Sequence, residues 1–483
     1  MLRSISVWLF ALTVFGSSDD VSAHLKRFTE AYALIEENAA DPPVPEQAYY
    51  RGAIPGLLRR LDPHSVFMDP DQFEQLQKLQ TSTQKGFGTV VSILPGRVIV
   101  LQTLPGTPSA RSGISAGDEI MAVNGYQLNR LDMEQLIALL SQSRQQEARL
   151  DVRRPGNARI QQFVLTPEEL QSPSVERVFF LGPGMGYVRV SSFDEKTGAQ
   201  IREAIEKLGG KTLRGLVLDL RNNPGGVLPS ALETASLFLK PGQKLLTVRG
   251  RAVAERTEAV PQNAESYGFP LAVLINEKSA SGSEIVAGAL QDHDRAAIIG
   301  QTSFGKGMVE SVYPLSDQSG LALTTALYYT PSGRSIQKPL EGSQFALAAA
   351  FAKPAQEFRT DSGKLVTGGG GIVPDYLVDP PRLTRLRAVL DASGSFTTFA
   401  TEYLGAHKIT EEFDVTPAQL DEFRVFLSQR QIQPSIAEWS GEREFIRNRL
   451  KTEIFNQALG VAKGDEVEAQ RDPQILKALE ILK

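Results

Sequence analysis

Two short stretches of this chain hold residue types capable of covalent chemistry. In Ser279-Ala280-Ser281-Gly282-Ser283-Glu284, small residues crowd around a serine between an apolar run ending at Asn276 and a helix-like run starting near Ser283. A serine at a strand-to-helix turn exposes its hydroxyl beside helix N-terminal amides, which stabilise a developing oxyanion. In Gly305-Lys306-Gly307, glycines on both sides let the backbone approach closely and leave room for the lysine side chain. A serine hydroxyl needs a base to become a nucleophile. Lysine can serve only when neutral: with a free pKa of about 10.4, it reaches 7 once its ammonium is destabilised by roughly 4.6 kcal/mol. Burial supplies shifts of that size. Taken alone, the same stretches also read as a serine N-cap and a solvated lysine.

A histidine base is the rival. The chain has four histidines, His24, His64, His293 and His407. His293 sits at the far end of the helix that begins near Ser283, about 12–15 Å from Ser281 along the axis. That is too far for direct proton transfer, so His293 reads as a helix C-terminal residue. The absence of cysteine removes thiol catalysis, disulfides, zinc–thiolate sites and lipid attachment through cysteine. With so few histidines a metal centre is not expected either, and the chemistry calls for no cofactor.

The elements that must position Ser281 and Lys306 are legible in outline. From about 182 to 379 the chain alternates strands with helices: Gly186–Val190, Leu216–Leu220, Leu271–Asn276 and Ala296–Gly300 as strands, Lys196–Leu208 and Ser283–Gln291 as helices. That alternation predicts an α/β layer. Residues 24–80 are rich in helix formers, interrupted by the polar turn Leu61–Ser65. Residues 81–168 have the texture of a small β domain: short β-branched runs, an Asn124-Gly125 pair that favours a tight hairpin, and apolar residues at helical spacing over Met133–Ser141. An insertion is expected near 338–370, running into the flexible glycines Gly368–Gly371. Residues 381–483 read as a charged, helical extension.

A length of 483 residues implies several structural units. A hydrophobic share of 41% with 22% charged residues describes a globular chain, and the net charge of −5 offers no basic face for nucleic acid. Arg3 followed by the apolar run Val7–Phe15 and small residues up to Ala23 reads as an export signal over 1–23. Nine apolar residues are too few to span about 30 Å of hydrocarbon. The expected location is therefore periplasmic or cell-envelope, with an uncleaved N-terminal tether as the alternative.

The stretch Leu271–Glu310 closely resembles the carboxyl-terminal processing peptidases, or tail-specific proteases. In that family the middle serine of a Ser-Ala-Ser-Ala-Ser-Glu segment is the nucleophile and the lysine of a Gly-Lys-Gly segment is the base. The resemblance places these roles on Ser281 and Lys306. Leu61-Asp62-Pro63-His64-Ser65, Asp219–Gly226, Tyr329–Arg334 and Gly371–Asp375 agree as well, in the family's order, so that it covers about residues 50–380. It implies an α/β core of the crotonase-like, spiral ββα type. It also implies oxyanion donors at Gly282 and at Gly225 or Gly226, although Asn223–Gly226 by itself reads as an ordinary tight turn. Glu284 matches a family carboxylate, and reads equally as a first-turn glutamate favoured by the helix dipole.

Two positions depart from the family pattern. Gly282 replaces an alanine, which leaves the amide in place. Glu310 stands where the family has a glutamine that accepts a hydrogen bond from the lysine. A carboxylate about 4 Å from an ammonium favours the charged form by roughly 4 kcal/mol at an effective dielectric of 20. The expectation is a more alkaline optimum or weaker activity; a protonated Glu310 in an apolar pocket would restore the glutamine-like role.

Residues 81–168 resemble a PDZ domain. Gly86-Phe87-Gly88 matches its carboxylate-binding loop and Ser112–Ile120 its core segment. Loop amides would hold a terminal carboxylate, the edge strand would pair with the peptide, and an apolar pocket would take the last side chain. Phe87, Val90 and the helix Met133–Leu140 are the pocket candidates. Substrates are then proteins or peptides with apolar C-termini. The alternatives are a weakly active PDZ scaffold and a crotonase-like binder of apolar small molecules. The C-terminal helices are left to dock on the core, pair two copies or bind an adaptor.

Overall fold

The computed structural model describes residues 18–41, 43–80, 83–157, 159–315, 317–339 and 357–483. The apolar run Val7–Phe15 and the central part of the expected insertion, 340–356, lie outside these. Helix formers after Ser18 fold as α1 (Ser18–Asn38) and α2 (Ile54–Leu61). The turn Asp62–Ser65 then leads into β1 (Val66–Met68), a strand not anticipated in this helical stretch, and α3 (Pro70–Gln80) follows. β1 pairs antiparallel with Gly320–Ala322, so this N-terminal segment is stitched into the sheet that carries Glu310.

A two-stranded ribbon, β2 (Thr83–Gly86) and β9 (Glu168–Gln171), forms the neck of the small domain. Within it, β3 (Thr89–Leu94), β4 (Arg97–Thr103), β5 (Glu119–Val123), β7 (Ala148–Arg153) and β8 (Ile160–Leu165) form one antiparallel sheet, with β6 (Tyr126–Gln127) pairing on β5. The Asn124-Gly125 turn takes positive φ at both residues, 51° and 85°, as a tight hairpin requires. Helix α4 (Pro108–Arg111) follows β4. Helix α5 (Met133–Ser143) starts in a capping box, Asp132 and Gln135 exchanging side-chain-to-amide bonds of 2.8 and 3.1 Å. Val98, Val100, Leu128, Leu136 and Val152 are fully buried in this domain's own core.

The larger domain is built on β10 (Val175–Gly182), β11 (Met185–Val190), β12 (Gly215–Asp219), β15 (Leu271–Ile275), β16 (Ala297–Gly300) and β21 (Tyr376–Leu377), parallel after the first antiparallel pair. β12 and β15 are buried at every residue, as a parallel sheet covered on both faces demands. Leu216, Leu218 and Val273 face α6 (Thr197–Lys207), α7 (Leu228–Ser236) and α8 (Gly282–Asp292). A second sheet joins β1, β13 (Lys244–Arg249), β14 (Arg256–Ala259), β17 (Met308–Pro314) and β18 (Gly320–Tyr329). This is the α/β core that was expected. The glycine run is not loose: Gly369 and Gly371 amides donate to Ser335 and Ile336 carbonyls at 2.7 and 2.8 Å, after the hairpin β19 (Glu357–Arg359) and β20 (Leu365–Thr367).

The C-terminal extension is helical throughout its described elements. α9 (Arg385–Ala392), α10 (Ser395–Ala406), α11 (Pro417–Gln429) and α12 (Ile436–Ala458) share a core of Leu390, Phe396, Phe423, Ile446 and Leu450. This bundle grips the small domain: Leu94 packs on Gly394, and Arg97 donates to Thr398 Oγ1 at 3.1 Å. Beyond it, α13 (Val461–Ala469) and α14 (Pro473–Ile481) cover the other face of the parallel sheet, setting Ile475, Ala478 and Leu482 on Val217, Ala272, Leu274 and Ile299. Of the roles left open for this extension, docking on the rest of the chain is thus present in the fold.

Candidate active site

Ser281 occupies the turn between β15 and α8 with φ 51° and ψ −110°, a conformation a non-glycine residue rarely adopts. Such strain costs about 1–3 kcal/mol and persists only where surroundings enforce it. Glu284 supplies the enforcement. Fully buried one turn into α8, its Oε2 accepts from the Ser281 amide at 2.9 Å and from the Lys306 amide, also at 2.9 Å. Its Oε1 accepts from Ser303 Oγ at 2.5 Å and the Gly305 amide at 2.7 Å. One carboxylate therefore holds the serine turn and the lysine loop side by side. Burial pushes the Glu284 carboxyl above its usual range, and these four donors oppose the shift.

A second brace comes from β18. The buried Tyr328 hydroxyl donates toward the Lys306 carbonyl at 2.8 Å and the Ser281 carbonyl at 3.2 Å. Ser303 relays the same loop to the glycine run, accepting from the Ile372 amide at 2.6 Å. Gln337 Oε1 takes the Gly307 amide at 2.8 Å. The lysine loop is thus anchored at Ser303, Gly305, Lys306 and Gly307 before β17 begins.

The turn after β12 completes the constellation. The Asn223 carbonyl accepts from the Ala280 amide at 3.0 Å and Ser283 Oγ at 2.9 Å, clamping Asn223–Gly226 onto the serine turn. Gly225 takes φ 100° and sits so close that a Cβ there would lie 2.8 Å from the Gly282 nitrogen and from Ser281 Cβ. Its amide, however, donates to Asn223 Oδ1 at 2.8 Å, so of the two expected glycines Gly225 is not the free donor. The Gly226 and Gly282 amides have no acceptor among the described residues. Only glycine fits at 226, because a Cβ would fall 1.9 Å from the Phe193 carbonyl oxygen.

Lys306 Nζ lies 2.7 Å from Glu310 Oε1, the side chains being 22% and 28% exposed. Glu310 faces a lysine and a histidine rather than an apolar pocket. His64 Nδ1 stands 4.0 Å from the same oxygen, presented by a turn in which buried Asp62 accepts from the His64 and Ser65 amides, both at 2.8 Å. Burial first, then the Lys306 ammonium, hold His64 below the usual histidine range. His293 is the C-cap of α8, bonded to Asp361 and the Lys244 carbonyl, as its position implied.

In the small domain a cavity of about 270 Å³ opens beside Gly86, Phe87 and Gly88, walled by Val91, Leu104, Ile120, Leu140 and Leu150. Lys85 and Arg144 are the cations on its lining. Val91 takes the place expected of Val90, which pairs with Gln102 just before a register shift. Leu170, from the neck strand β9, supplies one more wall.

Residues 184–342 match the model of peptidase family S41, and residues 99–154 match that of a PDZ domain. The chain is 35% identical over 321 residues to a carboxy-terminal-processing protease of Bartonella bacilliformis, covering 65% of this chain and 72% of that one. The chain belongs to the carboxyl-terminal processing protease family. A carboxyl-terminal-processing protease of Synechocystis is 32% identical over 311 residues, 63% of this chain and 72% of that one. Among solved structures it is similar to a photosystem II D1 C-terminal processing protease, at 27% identity and a TM-score of 0.41, over 73% of this chain and 86% of that chain. In this S41 peptidase, the sequence brought Ser281, Gly282, Lys306 and Glu310 into view. It missed His64, Ser303 and Tyr328. Tyr328 lies in a run, Leu327-Tyr328-Tyr329, that signals only a buried strand; the Asp62-Pro63-His64 turn was the one visible hint of His64.

Proposed function

We propose that this chain is an exported serine endopeptidase that captures substrate C-termini and cleaves by acyl transfer to Ser281, with Lys306 as general base. The observation that carries this reading is the single Glu284 oxygen shared by the Ser281 and Lys306 amides, which fixes a strained serine beside a lysine. In the proposed reaction neutral Lys306 takes the Ser281 proton as Oγ bonds to the scissile carbonyl carbon. The oxyanion lies against the Gly282 and Gly226 amides. Lys306 then returns the proton to the leaving amine, and water hydrolyses the acyl-enzyme by the same route.

The small domain supplies the capture. Amides of Gly86–Gly88 and the cations Lys85 and Arg144 suit a terminal carboxylate, and the apolar walls suit an apolar last side chain. Residues 1–23 would direct export to the cell envelope. A fluorophosphonate probe tests the nucleophile: one adduct on Ser281 is expected, and labelling elsewhere, or none, contradicts the assignment. The Lys306–Glu310 ion pair favours one second reading, a weakly active scaffold that binds C-termini with little turnover; ligand binding without cleavage from pH 6 to 10 would support it.

A further inference from the structure

The last helix of the chain reaches the turn that carries Gly226. Arg221, two residues beyond β12, is the link. Its Nε lies 3.0 Å from both Asp219 oxygens and its Nη2 is 2.6 Å from Asp219 Oδ2. Its Nη1 donates to Asp472 Oδ2 at 2.5 Å and to Gln474 Oε1 at 2.9 Å. Asp472 is at the same time the N-cap of α14, its Oδ1 accepting from the Gln474 and Ile475 amides at 2.8 and 3.1 Å. Gln474 is tied in turn to the Val378 carbonyl at 2.6 Å. The α14 backbone is immobilised by its apolar packing on the sheet, so Arg221 is held from a rigid element.

On its other side Arg221 adjoins Asn222, which sits at φ 60° and exchanges two 2.9 Å bonds with Asn276 at the end of β15. From there the chain runs directly into Asn223–Gly226. Asp219 is fully buried and needs a positive partner, so Arg221 cannot leave it. Asp219 takes one edge of the guanidinium, and Asp472 holds the other from α14. A polar cavity of about 380 Å³, lined among others by Arg177, Arg189, Asn222 and Lys278, separates α13 and α14 from the strand ends. With no carboxylate at 472, Nη1 keeps only the Gln474 oxygen and α14 loses the side chain that caps it, so the strut behind the turn is weakened.

We propose that Asp472 is a positioning residue for catalysis: through Arg221, helix α14 sets where the Gly226 amide stands against Ser281. This rests on the reading of Ser281 as nucleophile and Gly226 as oxyanion donor. Outright loss of an oxyanion donor lowers kcat by about 10²–10³-fold; misplacing one is expected to cost about tenfold. The full-length protein is assayed as wild type, Asp472→Ala and Asp472→Glu. The measurements are kcat per titrated active site, KM, and Ki for a peptide aldehyde whose adduct oxygen occupies the oxyanion position. For Asp472→Ala we expect kcat down about tenfold, aldehyde Ki up by a similar factor, KM within about twofold, and substantial recovery in Asp472→Glu. Wild-type kcat per site in Asp472→Ala overturns the strut, whether or not less protein folds; so does a lower kcat with unchanged aldehyde Ki. Activity in Ser281→Ala would instead overturn the nucleophile assignment, which separates the two failures.

Discussion

Replacing Glu310 by glutamine removes one charge at the general base while keeping an acceptor for the lysine. With Nζ and Oε1 2.7 Å apart, a unit charge pair is worth about 6 kcal/mol at an effective dielectric of 20 and about 1.5 kcal/mol in bulk water. Both side chains are about a quarter exposed, so screening brings the value toward the lower figure. Glutamine also retains the neutral part of the hydrogen bond. The charge is then worth about 1.5–3 kcal/mol in favour of the ammonium. Its removal should raise kcat/KM at pH 7 by about 10–100-fold. The assay is cleavage of an unstructured protein from pH 6 to 10 by wild type, Glu310→Gln and Glu310→Ala, with the alanine variant reporting loss of the hydrogen bond as well. A Glu310→Gln variant no faster at pH 7 would refute the reasoning.

Further outcomes follow from the same geometry. In Glu284→Gln, either orientation of the amide sets an NH2 against two donors among Ser281, Lys306, Gly305 and Ser303. Each unsatisfied buried donor costs about 1–3 kcal/mol, so loss of most activity and a lower melting temperature are expected, read by calorimetry and active-site titration. His64 is held below its usual range, so the folded state resists its protonation. Its contribution to stability is complete above the unfolded value of about 6.5 and is lost as pH falls below that toward the folded value. The melting temperature should therefore drop from pH 7 to 5, and His64→Asn should flatten that drop. For the PDZ cavity, amidating the C-terminus of an apolar-ended peptide should weaken binding about tenfold or more, roughly 1.4 kcal/mol. Equal affinity in fluorescence anisotropy would exclude carboxylate capture.

The strand–helix alternation around Ser281 was legible because a buried parallel strand writes its whole length in Leu, Val and Ile, and the turn after it in Ser, Ala and Gly. Lys306 was legible through the resemblance of Gly305-Lys306-Gly307 to the family's base segment, since a lysine between glycines alone also reads as solvated. The braces were not. Tyr328 and Ser303 act through a hydroxyl in otherwise unremarkable strand and loop sequence, and Arg221 meets Asp472 only because α14 folds back across the sheet. The choice between Gly225 and Gly226 turned on the Asn223 side chain, which consumes one of the two amides. Val91 rather than Val90 lines the small-domain cavity, a choice the sequence did not show.

The most direct test of the account is cleavage of an unstructured protein with an apolar C-terminus by the wild type, Ser281→Ala and Lys306→Ala, each shown to be folded by its melting curve. The account predicts cleavage by the wild type alone, with both variants lower by at least about 10³-fold, since a nucleophile and its base act as one unit. Wild-type-like cleavage by either variant would contradict it.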